Sequence, residues 1–190
     1  MQPKRARVTT VTTPFSGDSP VGFVLVTERR IDPAKGPLPP ELAVLFSYWQ
    51  QKRGDRRMPP RSAFDPAELR SNVGRMHLLA VEGPDRFRYR VYGSRVTNPD
   101  AADMTGRTTQ EYRDRAFGEL VTRHLRECVR ERAPTCYDIR ARLDDAPYEY
   151  IRIALPFSEN DTEVSHILVG TLRGTVPKKV LRGIGSQTAD

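Results

Sequence analysis

His124 and Cys128 stand four residues apart in a segment whose apolar residues, Phe117, Leu120, Val121, Leu125 and Val129, recur at helical spacing. Residues i and i+4 lie one above the other on a helix, so an imidazole and a thiol would share a face and could ligate haem or a metal. The competing reading, which the sequence favours, makes a single histidine among aliphatic neighbours a hydrogen-bonded core residue. No cofactor and no metal is therefore expected. Cys128 and Cys136 are the only cysteines, and their spacing matches no zinc signature. The three histidines, His77, His124 and His166, fall in separate segments. There is no glycine-rich phosphate loop, nucleophile elbow or His-Glu-x-x-His pattern, so a non-enzymatic role is expected.

Arginine and tyrosine make the second pattern. Arg88, Arg90 and Tyr92 in one segment, Arg140 and Arg142 in another, and Tyr148, Tyr150 and Arg152 in a third occupy alternate positions. On strands that period places them on one face. Interleaved arginine and tyrosine on a sheet can stack bases and neutralise phosphates, the chemistry of a single-stranded nucleic-acid binder, or can form a partner-binding face. Alternatively the arginine stems cover apolar surface while their heads stay in water. The opposite parity, Phe87, Tyr89, Ile153 and Leu155, together with Leu120 and His124, is the candidate lining of a small-molecule pocket of about 300 Å³ or more. Against it stands a core filled solidly by the same side chains.

Composition narrows the classes. The chain has 190 residues, 37% hydrophobic and 29% charged, which suits one globular domain with tails. A net charge of +7 favours an acidic partner, although the stretch Arg126 to Arg132 interleaves arginine with glutamate and reads as a solvated, ion-paired helix face. The longest apolar run, Val21 to Val26, is far short of the roughly 18 residues of a membrane span. Lys4, Arg5 and Arg7 are followed by threonines, not by the apolar stretch of a secretory signal, and a cytoplasmic location is expected.

The elements that must position these residues follow from periodicity and breakers. Residues 1–20, rich in Thr, Ser and Pro, predict a disordered tail, and residues 21–40 a peripheral strand and a proline-rich linker. From Glu41 to Arg53, Leu42, Leu45, Phe46 and Trp49 recur at i, i+3, i+4 and i+7, giving a helix whose apolar stripe must pack on its own sheet or on a second subunit, a candidate dimer element. Met76 to Glu82 and Arg86 to Tyr92 predict a hairpin about Gly83-Pro84-Asp85. Thr108 and Glu111 have capping-box spacing and predict the start of a long helix that Pro134 ends. Thr135 to Leu143, Tyr148 to Phe157 and Val164 to Leu172 predict an antiparallel meander, and residues 173–190 a basic, frayed tail. The fold class is α+β: five antiparallel strands with helices covering one face, plus the N-terminal helix.

That order, and the sequence itself, resemble the PAS-like family of small stand-alone proteins in alphaproteobacteria. The matching stretches are Tyr48-Trp49-Gln50 with Arg53-Gly54 and Arg57-Met58-Pro59, then Phe87 to Val96, Met104-Thr105-Gly106-Arg107, and Leu155-Pro156-Phe157. The resemblance spans residues 40 to 172, and the PAS-like domain itself is placed at 41–172. Such relatives tend to carry a glycine in the loop before Thr105-Gly106, where this chain has Ala101-Ala102-Asp103. The resemblance implies a sensory or regulatory module, with no catalytic residues to carry over. Output through a protein partner or a homodimer is the expectation, tuned by a small ligand between the sheet and the long helix.

Overall fold

Pro40 opens the first helix because proline's fixed φ suits a first turn that needs no N–H donor. In the computed structural model, which describes residues 22–174, that helix is α1, Pro40–Arg53. The sequence-predicted tails fall outside the described residues, except for Arg173 and Gly174. Gly54 ends α1 at φ +54, in the half of φ space that glycine enters without strain. Leu42, Leu45, Tyr48 and Trp49 are buried, and the Trp49 indole N–H donates to the Pro156 carbonyl at 2.7 Å. Phe46, half-buried, stacks on Trp49 with ring planes 8° apart. The stripe read as a candidate dimer element is thus covered by this chain's own sheet, which removes the apolar patch on which that expectation stood.

The strands are β1 (Phe23–Ile31), β2 (Met76–Val81), β3 (Phe87–Val91), β4 (Thr135–Leu143), β5 (Ala146–Phe157) and β6 (His166–Arg173). They form one sheet in the order β1-β4-β5-β6-β2-β3, with every pair antiparallel. The sheet has six strands, not five, because Phe23–Ile31 pairs along β4 and becomes an edge. The tight β4–β5 connection is Asp144-Asp145, both at positive φ, as a two-residue hairpin turn requires.

The second helix, α2, spans Arg115–Glu131, starting later than its apparent capping box. Thr108 and Glu111 do form that box, but around a 3₁₀ turn at Thr109–Glu111, after which Tyr112 is extended. The true cap is Asp114, whose carboxylate accepts from the Phe117 N–H at 3.0 Å and from the Phe23 N–H at 2.7 Å. One side chain therefore caps α2 and anchors the start of β1.

Both faces of the sheet are buried. α1 packs on β5 and β6, closely enough at Gly170 that a Cβ there would lie 2.4 Å from Leu45 Cδ1 and 3.1 Å from Ile153. α2 covers the opposite face, over β1, β4 and β5. Residues paired across antiparallel strands share a face. Tyr150 opposite Ile139, Arg152 opposite Tyr137 and Thr171, and Val169 opposite His77 therefore lie beneath α2. Ile151, Ile153, Leu155 and Phe157, of the other parity, lie on the α1 side. The sequence-predicted sidedness of β5 is inverted: its tyrosines and arginine face the long helix, and its aliphatic residues face α1.

Candidate functional site

Between the sheet and α2 lies a cavity of about 290 Å³. Phe117, Val121 and Leu125 of α2 form its roof, Tyr150, Arg152 and Val169 its floor, and His77, Tyr89, Tyr92 and Tyr112 one wall. Arg75, Arg95 and Arg173 also border it. No aspartate or glutamate contributes to the lining among the described residues.

Tyr92 reaches this wall through a break in alternation. Leu78 pairs with Val91 but Leu79 pairs with Tyr89, so Arg90 is the extra residue of a β-bulge. Beyond it the parity flips: Val91 becomes 48% exposed, and Tyr92 turns inward to lie 4.0 Å from the His77 ring. The loop that follows is tied down by Asn98, whose side chain meets the Tyr92 hydroxyl and the Ala102 carbonyl at 2.7 Å each. Ala101, in the same loop, stands at φ +50, a left-handed conformation that strains a residue with a Cβ.

Arg152 is the centre of the site. It is 5% exposed, its guanidinium sits 5.1 Å over the Tyr150 ring and 5.7 Å from that of Phe117, and it pairs with no carboxylate among the described residues. Its hydrogen-bond partners are neutral: Nη1 lies 3.3 Å from His124 Nδ1, and Nη2 lies 3.4 Å from the Tyr150 hydroxyl. Arg152 is a donor only, so His124 Nδ1 must accept, which puts the imidazole proton on Nε2. That Nε2 is 3.1 Å from the Glu28 carboxylate on β1, which Arg123 grips bidentately at 2.7 Å through both terminal nitrogens. Burial tends to raise the Glu28 carboxyl, but the bonds from His124 and Arg123 outweigh it and hold it down at about 2. Burial lowers His124 to about 4 despite its Glu28 bond. It also lowers His77 to about 3, with a further push from Arg152. Both imidazoles are therefore neutral at pH 7, and Arg152 is the one buried positive charge on this cavity floor among the described residues.

The residues singled out from sequence are redistributed. Tyr89 lines the cavity; Phe87 is fully buried on the same strand face but is not part of the wall. Leu120 turns toward a separate groove with Phe23 and Leu25. Ile153 and Leu155 belong to the α1 face and are removed from the pocket. His124 is fully buried behind Arg152, with both ring nitrogens engaged by protein. The proposed outward Arg/Tyr face does not exist as one surface: Tyr148, Tyr150 and Arg152 are buried under α2, and Tyr92 lines the cavity. Arg140 and Arg142 pair opposite Glu149 and Pro147, which places them on the other side of the sheet, and Arg88 and Arg90, with Arg86, share the single carboxylate of Glu82. Sequence reasoning passed over His77, Tyr112 and Glu28 as site residues. The available signal was at Arg152 itself, a charge set between Ile151 and Ile153 and followed by the apolar run to Phe157.

Among the described residues no cluster of three or more His, Cys, Asp or Glu side chains could hold a metal, and no helix is long and apolar enough to cross a membrane. Burial raises the Cys128 thiol far above its ordinary range and Cys136 to about 12, so neither is a ready nucleophile. A family model described as a PAS domain matches residues 39–173. No curated protein and no solved structure matches the chain.

Proposed function

The chain belongs to the PAS domain family, and on that premise we propose that it is a non-enzymatic sensory or regulatory module. Its cavity between the sheet and α2 takes a small ligand, and its output is contact with a protein partner. One observation carries the ligand reading: about 290 Å³ of space is left open between the sheet and α2, around the buried Arg152. Ligand pockets run from roughly 300 Å³ upward, so the occupant is small. The hydrogen-bonded series Arg152, His124, Glu28 and Arg123 supports an output, because it links the cavity floor to the edge strand β1 and to the outer side of α2.

A ligand-observed NMR screen of small metabolites against the wild-type protein and a Val121→Phe variant tests this reading. Val121 lines the cavity, so a larger ring there fills the space. Hits that bind the wild type and are lost from the variant support it. Binding indifferent to the substitution, or none at all, would remove the cavity from the account.

A further inference from the structure

We infer that the cavity is a receptor for small organic carboxylates, with the carboxylate seated on Arg152. The inference rests on the reading of the cavity as a ligand site and names its ligand class. A guanidinium stays protonated at any physiological pH, and burying a charge without a counter-charge is strongly unfavourable. Native proteins keep such a group where an anion comes to it. Arg152 has five N–H donors; two are directed at neutral acceptors at the long end of hydrogen bonding, and the rest have no protein partner among the described residues. The rings of Tyr150 and Phe117 lie 5.1 and 5.7 Å from the guanidinium carbon, within cation–π reach.

The surroundings select the class. With no carboxylate in the lining, nothing in the wall competes for Arg152 or repels an anion. Arg95 and Arg173 add positive potential at the border, where Arg75 is partly offset by Glu41 at 3.8 Å, and this favours entry of a negative ligand. A carboxylate matches the planar guanidinium fork bidentately with a single charge, whereas a phosphate would bring more charge and more oxygens than one deep arginine can satisfy. The remaining wall, from Phe117, Val121, Leu125 and the tyrosine rings, suits an apolar or aromatic body. The volume equals that of about ten waters, so the ligand has a similar number of non-hydrogen atoms.

Calorimetric titration of the full chain with phenylacetate and hexanoate, their neutral amides phenylacetamide and hexanamide, and inorganic phosphate tests this. The carboxylates are expected to bind at least tenfold tighter than their amides and than phosphate. Arg152→Met should abolish that preference while leaving amide binding in place. Without ligand, its thermal midpoint should equal or exceed that of the wild type, because an uncompensated buried charge has been removed. Arg152→Lys keeps the charge but not the fork, and should weaken the carboxylates severalfold even if the methionine variant does not fold. Amides as tight as acids, phosphate tighter than either, or a preference that survives in both variants would overturn the carboxylate assignment and leave the cavity as a ligand site. No binding by any of the organic probes at millimolar concentration would overturn the cavity reading and the assignment together.

Discussion

The two faces of one sheet are put to different uses. On the α1 side, Ile153, Leu155 and Phe157 meet Leu42, Leu45 and Trp49, with Gly170 letting the helix lie almost on the strands. On the α2 side, the same strands present Tyr150, Arg152, His77 and Thr171, and a cavity remains. The first arrangement is apolar where α1 meets β5 and β6, and the one buried charge on that face among the described residues, Asp138 of β4, is paired with Arg29 at 2.9 Å. The second buries a cation, two neutral histidines and several tyrosines, groups that stabilise a fold poorly unless each finds a partner. The contrast teaches that a sheet can delegate stability to one side and keep the other open for recognition.

The contrast is sharpest in truncation. Phe157, fully buried on the α1 side and 6.0 Å from the Phe64 ring, should lose about 3–5 kcal/mol on Phe157→Ala, read from urea unfolding. Tyr150→Phe on the cavity side gives up only long hydroxyl contacts and should lose less than about 1 kcal/mol. Equal losses would erase the distinction between the faces. Acid should attack the cavity side next. His124 and His77 fall from 6.5 to about 4 and about 3, so below pH 6.5 the unfolded chain takes up protons that the native chain refuses. Stability is complete above that pH and falls by roughly 3 kcal/mol per pH unit for the two histidines together as pH drops toward 4. Glu28 adds its own loss between 4.5 and about 2. Urea midpoints at pH 7.5, 6.0 and 5.0 measure the slope, and a flat profile would mean that neither imidazole is buried neutral. The smallest effect belongs to the loop beside the cavity. Ala101→Gly relieves the φ +50 conformation and should raise stability by about 1 kcal/mol at most; a loss would show that Ala101 is not strained.

Element order was legible because hydrophobic period survives in each segment. The α1 stripe, the β2–β3 hairpin and the β4–β5–β6 meander all lie where the alternation and turn residues place them. Sidedness was not legible. In β5 the residues Tyr148, Tyr150 and Arg152 alternate with Ile151, Ile153 and Leu155, and the usual rule assigns the polar set to water. That rule presumes one wet face, whereas helices cover both here. Grouping Arg140 and Arg142 with Arg152 failed because face-sharing depends on register, and Arg140 is opposite Glu149. Tyr92 was misplaced by the single extra residue at Arg90, which no local pattern announces. The partners of His124 lie 28 and 96 residues away along the chain, at Arg152 and Glu28, and only the folded sheet joins them.

A crystal structure of the chain grown with phenylacetate tests the central claim most directly. The account predicts ligand density under α2 with its carboxylate on the Arg152 guanidinium, and uninterrupted side-chain packing between α1 and the other face. A cavity closed by its own side chains, or Arg152 paired with a carboxylate of the protein, would contradict it.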